Sequence, residues 1–286
     1  MKKILIAVFA LFLGLQVNAA TTTTTTTATS NWDSAAAQKR LNNIAYKIIK
    51  ANSLPDGISI KVSDEDEANA YANINKEIYV YKGLLNYATT DEEIAAVISH
   101  EMGHIINGHN AKQTILNSLI SNVTGGSSSS SVGAVAVQEL SSTKLSRKDE
   151  FEADLTGVDL LVKANYNPLA MISVLNKITG NYVDIISTHP SGEKRLMNVY
   201  DYISYNYPEL AKKGYNTESY NRAYALIKLN VEERNASKRL TKKYEKQQEK
   251  LKKQKIKRAK KMLKSNTGWD SAYNTLLMLN SSESSN

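Results

Sequence analysis

Three of the four histidines in this chain fall within ten residues, in the run H-E-M-G-H-I-I-N-G-H from His100 to His109. Residues four apart on a helix share one face, so the imidazoles of His100 and His104 can meet a single metal ion. Glu101 stands beside the first of them, within reach of a water molecule held by that ion. In this H-E-x-x-H arrangement the metal lowers the pKa of water towards about 7, and the glutamate takes its proton as the water attacks a carbonyl. The chemistry expected is metal-assisted hydrolysis of peptide bonds, with zinc the metal inferred from the ligand types.

A catalytic zinc takes three protein ligands and keeps a fourth position open. A longer metzincin pattern would need glycine at 107 and histidine at 110, but this chain has Asn107 and Asn110. His109 is five residues past His104, about 140° further round a helix at about 100° per residue, so it is expected to face away from the metal and to serve a structural or capping role. The third ligand should then be a carboxylate. The stretch SRKDEFEADLTGVDLL offers Asp149, Glu150, Glu152 and Asp154 on one predicted helix. Glu150 and Asp154 are four apart and share a face, whereas Glu152 is about 200° from Glu150. Glu150 as ligand, with Asp154 orienting a histidine N–H, is the economical assignment; Glu152 is the alternative.

Several elements must position these groups. Thr90 and Glu93 form a capping-box pattern ahead of an apolar series at Ile94, Val97, Ile98 and Met102, and Gly108 is a stop, so a helix is expected over about 91–107. Before it, ISIKVSD and KEIYVYKG alternate with period two and read as strands. The second is expected to be an edge strand, able to pair with an extended substrate. Leu41, Ile44, Ala45 and Ile48 mark an earlier amphipathic helix. Further helices are expected near 110–121, 132–143, 147–164, 191–206, 215–230, 231–264 and 268–280. The Gly/Ser run at 124–131 reads as a mobile lid or a plain linker. The fold class is α+β: mainly helical, with a small sheet beside the H-E-x-x-H helix.

HEMGHIINGH followed by SRKDEFEAD resembles the HtpX and CAAX-prenyl-protease type of zinc metallopeptidase, a gluzincin family, and within it the soluble exported BepA-like branch. That family places H-E-x-x-H on one helix and E-x-x-A-D on another, which carries the third zinc ligand onto Glu150 and the alanine and aspartate onto Ala153 and Asp154. NAYANINKEIYVYKGLL is similar to the family's strand segment, with its Asn-Ala pair at Asn69 and Ala70. STHPSGEKRL is similar to the family's Thr-His-Pro loop, with a downstream arginine matched by Arg195. The resemblance implies that His189 approaches the metal, either stabilising an oxyanion or filling the open position in a closed state. It covers about residues 35–205. It departs at Ile74-Asn75-Lys76, where the family often has Pro-Gly-Gly, and in the C-terminal part, where helical repeats are common in the family.

The resemblance implies a zinc-dependent endopeptidase acting on unfolded or misassembled exported and envelope proteins, in protein quality control. The alternative class is a catalytically quiet, chaperone-like or binding module of the cell envelope.

Bulk properties bound the rest. With no cysteine, thiol catalysis and cysteine metal sites are excluded. MKK, a 12-residue apolar run and the small-residue site Val17-Asn18-Ala19 read as a cleaved signal peptide over residues 1–19. Export to a bacterial periplasm follows, as a protein that is soluble or peripherally attached to a membrane. A disordered Thr-rich leader is expected over 20–31, the peptidase domain over 32–210 and a helical extension over 211–286. The net charge of +8 is concentrated in one segment, because residues 231–264 hold 15 Lys or Arg against four Glu. Such a segment is a solvated helix or an arm for an anionic membrane surface or an acidic partner; nucleic acid is not expected. Leu240, Tyr244 and Leu251 suggest a seam along it, interrupted by Gln248 and Lys255.

Overall fold

Helical spacing of small and branched apolar residues builds the first element, α1 (Ser34–Ala51), which buries Leu41, Ile44, Ala45 and Ile48. The structure is a computed structural model and describes residues 32–54, 56–110, 146–181 and 193–262. The predicted helices at 132–143 and 268–280, that at 110–121 beyond Asn110, the leader, the Gly/Ser run and His189 lie outside the described residues.

Three short strands follow: β1 (Ser59–Ser63), β2 (Ala70–Ala72) and β3 (Glu77–Tyr81). Their order is β1-β3-β2, with β1 parallel and β2 antiparallel to β3. KEIYVYKG is therefore the central strand, and the expectation of an edge strand there is corrected. The edge strand on that side is β2, created by a local turn. The Asn73 side-chain oxygen accepts from the N–H groups of Asn75 and Glu77, and Lys76 takes a left-handed φ of 64°. The turn folds Ala70–Ala72 back along β3 and stacks Tyr71 on its cross-strand partner Tyr79, with ring centroids 5.0 Å apart. Ile78 and Val80 alternate with the tyrosines and point into the core.

After the single-turn α2 (Lys82–Leu85) comes α3 (Asp91–Asn107). Both halves of its capping box are formed: Thr90 accepts from the Glu93 N–H, and Glu93 accepts from the Thr90 N–H. Ile94, Ile98 and Met102 are fully buried, each worth about 1.5–3 kcal/mol of apolar burial. Helix α4 (Arg147–Lys163) packs along α3, and α5 (Ala170–Asn181) and α6 (Glu193–Asn206) close the core around them.

The short α7 (Pro208–Lys213) leads into α8 (Glu218–Ala236), whose Tyr220, Ala223 and Ile227 join the same core. The basic segment 231–264 is not one helix. It breaks at Ser237, which leaves helical geometry at φ −119° and ψ 109°. Its hydroxyl accepts from the Leu240 N–H at 3.4 Å, which restarts the chain as α9 (Lys238–Met262). Residues 231–236 therefore belong to α8. Helix α9 docks through Tyr244, Gln248, Leu251 and Lys255, one stripe at helical spacing. Tyr244 donates to the Asp201 carbonyl at 3.1 Å, Gln248 is 3 % exposed, and Lys255 pairs with Asp159. The two residues that interrupt an apolar seam are thus part of the docking face. Among the described residues, no helix is long and apolar enough to cross a membrane.

Candidate metal centre

Helices α3 and α4 lie unusually close because of two glycines. A Cβ on Gly103 would stand 2.6 Å from the Ala153 carbonyl oxygen, and one on Gly157 would stand 3.1 Å from the His100 nitrogen. The small Ala153 is fully buried at this crossing. Asn107 ties the end of α3 to α4, its amide donating to the Gly103 carbonyl at 2.8 Å and to the Thr156 hydroxyl at 3.0 Å.

This close approach brings His100, His104 and Glu150 together. His100 Nε2 and His104 Nε2 are 3.0 Å apart, His104 Nε2 is 3.4 Å from Glu150 Oε1, and His100 Nε2 is 3.5 Å from Glu150 Oε2. Two donors bound to one tetrahedral zinc at about 2.0–2.1 Å lie about 3.3 Å from each other. All three observed separations are close to that spacing, and all three side chains are buried.

Asp154 and Arg195 stand behind the ligands. His100 Nδ1 lies 2.9 Å from Asp154 Oδ1, which directs Nε2 at the centre. Arg195 donates twice to Asp154, at 2.8 and 2.6 Å, and its third nitrogen is 2.9 Å from Glu150 Oε2. Burial opposes charge on each of these groups, and their partners outweigh it. Asp154 and Glu150 raise His100 to about 10. Arg195 and His100 hold Asp154 below the usual carboxylate range, and Asp154 holds Arg195 above its ordinary value. His104 goes the other way: burial and the charge of His100 lower it to about 4. With both histidines neutral, as metal coordination requires, the carboxylates of Glu101, Glu150 and Asp154 face the Arg195 guanidinium, a shortfall of two positive charges that a divalent cation at the three donor atoms would make good.

Glu101 is buried at 3 % exposure, next to His100 in chain and in space. It lines a cleft with His100 and Arg195 whose remaining lining is apolar, including Val97, Met171, Val174 and Leu175. Ala70 of the edge strand β2 also lines it. Of the residues singled out in the sequence, His100, Glu101, His104, Glu150, Asp154 and Arg195 converge on one centre; His189 is outside the described residues.

Two features escaped the sequence reading. One is the pair of glycines, whose role depends on what faces them. The other is His109: the chain leaves α3 at Gly108, in a left-handed conformation with φ 66° and ψ 27°. That residue resets the helical phase, so the angle counted along α3 does not carry over to His109, and its ring folds back to within 2.9 Å of His104, Nδ1 to Nδ1.

Comparison with known proteins gives the same picture. The family described as Peptidase family M48 matches residues 35–203, more than half of the chain. The chain is similar to the mitochondrial metalloendopeptidase OMA1 of Arabidopsis thaliana, with 35% identity over 158 residues, 51% of this chain and 32% of that protein. It is similar to the metalloprotease LoiP of Escherichia coli (strain K12), with 31% identity over 180 residues, 58% of this chain and 70% of LoiP. It is also similar to the beta-barrel assembly-enhancing protease of Escherichia coli O157:H7, with 25% identity over 178 residues, 54% of this chain and 37% of that one. The matched part thus spans about a third of two of these relatives and over two thirds of LoiP.

Proposed function

The chain belongs to peptidase family M48, and on that premise we propose that it is a zinc-dependent endopeptidase of exported or envelope proteins. The observation that carries this reading is the spacing of His100 Nε2, His104 Nε2 and Glu150, at 3.0 to 3.5 Å, the edges of a tetrahedral zinc site. Zinc held there supplies Lewis acidity towards water and a substrate carbonyl. Glu101 is the general base: it takes the proton of the attacking water and delivers it to the leaving amine. Asp154 fixes the tautomer of His100, and Arg195 holds both carboxylates in place. His189, carried over from the family resemblance, is assigned to the cleft as a stabiliser of the oxyanion or a closing ligand.

The apolar wall at Val97, Met171, Val174 and Leu175 favours substrates with a large apolar side chain beside the scissile bond. Such side chains are accessible in unfolded or misassembled chains, which supports a quality-control role. We keep residues 32–210 as the peptidase domain and 211–286 as its extension. A bacterial periplasmic location is part of the proposal, supported by the resemblance of residues 1–19 to a signal peptide. The exposed lysines of α9 suit an anionic membrane surface or an acidic partner, to be read from vesicle co-sedimentation that salt weakens.

The test is zinc content together with degradation of an unfolded outer-membrane protein. Wild type should bind one zinc and cleave. Glu101→Gln should keep the zinc and lose about 100- to 10,000-fold in rate. Glu150→Gln should lose zinc. A wild-type protein that binds zinc and unfolded chains but never cleaves would favour the quiet binding module instead.

A further inference from the structure

Behind His104, on the side away from the three converging donors, stands His109. This ring is 3 % exposed, its Nδ1 is 2.9 Å from His104 Nδ1, and the two rings meet edge to face with centroids 5.0 Å apart. On its far side, His109 Nε2 is 3.3 Å from Glu152 Oε2 and 3.7 Å from Asp149 Oδ1. Asp149 also closes the capping box of α4, accepting from the Ser146 N–H and hydroxyl.

Counting protons decides what this arrangement does. Two ring nitrogens 2.9 Å apart hold one proton between them. His104 must offer its Nε2 lone pair to the metal, so its proton is on Nδ1. That N–H donates to His109 Nδ1, which must then be a bare acceptor. The remaining proton of His109 is therefore on Nε2, where Glu152 accepts it and the nearby Asp149 adds negative charge.

We propose that His109 is a positioning residue that fixes the tautomer of His104 and relays to it the negative charge of Glu152 and Asp149. Ligating histidines commonly direct their second N–H to a carboxylate or carbonyl, and loss of such a partner weakens metal binding. Here the carboxylate acts through a second imidazole. His109, Asp149 and Glu152 are also near enough to one another to hold a metal themselves. With His104 loaded, however, a metal on His109 Nε2 would leave that ring without any proton, so the two occupancies compete. The hydrogen-bonded role is the one that keeps both rings neutral.

This inference rests on the proposed zinc site, and the experiment separates the two. Zinc affinity of the full chain is measured by chelator competition for wild type, His109→Phe, His109→Gln and Glu152→Ala, with ring 15N spectra of the zinc-loaded protein. Phenylalanine fills the space without an acceptor; glutamine accepts through its carbonyl and donates through its amide. His109→Phe should lose about 10- to 100-fold in zinc affinity, and His109→Gln should recover most of it. Glu152→Ala should show a smaller loss in the same direction. The His104 signal should report a proton on Nδ1 in wild type. Equal affinity for His109→Phe, His109→Gln and wild type would overturn the relay. So would a second zinc in wild type that His109→Gln abolishes. A wild type that binds no zinc refutes the metal site itself. Should His109→Phe not fold, a His109→Gln protein with no Nδ1 proton on His104 would overturn the relay by itself.

Discussion

Helix α4 buries acids in two regions, and they are completed in opposite ways. Near its start, Glu150 and Asp154 share one guanidinium with Glu101, and the two histidines complete a set of metal-spaced donors. Near its end, Asp159 accepts from the hydroxyls of Tyr202 at 2.8 Å and Tyr207 at 2.7 Å and pairs with Lys255 of α9. The second cluster is balanced by its own side chains: one acid, one amine and two hydroxyl donors. In the first, with both histidines neutral, the described side chains leave a shortfall that a divalent cation would fill. Buried charge of itself therefore does not mark a functional site; a shortfall of compensating charge around convergent donors does.

The comparison predicts how each region breaks. Arg195→Met removes the only guanidinium from the first cluster and leaves two buried carboxylates poorly compensated. Urea unfolding in chelator should show a loss of about 3–5 kcal/mol, and saturating zinc should recover part of it. An equal loss with and without zinc would mean that the cation is not the balancing charge.

Lys255→Met acts on the second cluster. The two tyrosine donors remain on Asp159, so the loss should be smaller, about 1–3 kcal/mol. It should be the same with and without zinc and largely reversed by adding Asp159→Leu. Zinc dependence here would undo the distinction between the two regions.

A third buried acid sharpens the rule with the smallest effect. Glu93 lies at the start of α3, 2.7 Å from Lys177 and 2.8 Å from the Ser173 hydroxyl. Burial opposes its charge, but these partners hold its pKa below the ordinary value. Its contribution is therefore fully present above the unfolded pKa and is lost as pH falls through the lower folded value. Glu93→Gln should cost stability at pH 7 and progressively less below about pH 4.5, measured by unfolding at several pH values. A cost that stays constant down to pH 3 would contradict the assignment.

What could be read in the sequence is what depends on neighbours along the chain. His100, Glu101 and His104 are placed by one helical turn, Glu150 and Asp154 by another, and the limits of α3 by Thr90, Glu93 and Gly108. Gly108 also limited the reading: once a left-handed residue turns the chain, the helical angle assigned to His109 has no meaning, and the ring lies against His104. Likewise Gln248 and Lys255 look like breaks in a seam because a seam is imagined as apolar. Lys255 fits because Asp159, 96 residues earlier, waits for it.

The sequence by itself determined the chemical inventory of this protein: two imidazoles and a carboxylate on one helix, two carboxylates at i and i+4 on another, and a basic tail. Helical periodicity and capping are local, so residue types and spacing suffice for them. Only the tertiary structure decided that β3 is central, that Gly103 and Gly157 let two helices approach until three donors converge, and that His109 lies against His104 while Lys255 pairs with a distant acid. Those outcomes depend on which atoms meet across the core. That is set by close packing and by the requirement that every buried charge find a partner, neither of which is written in the spacing along the chain.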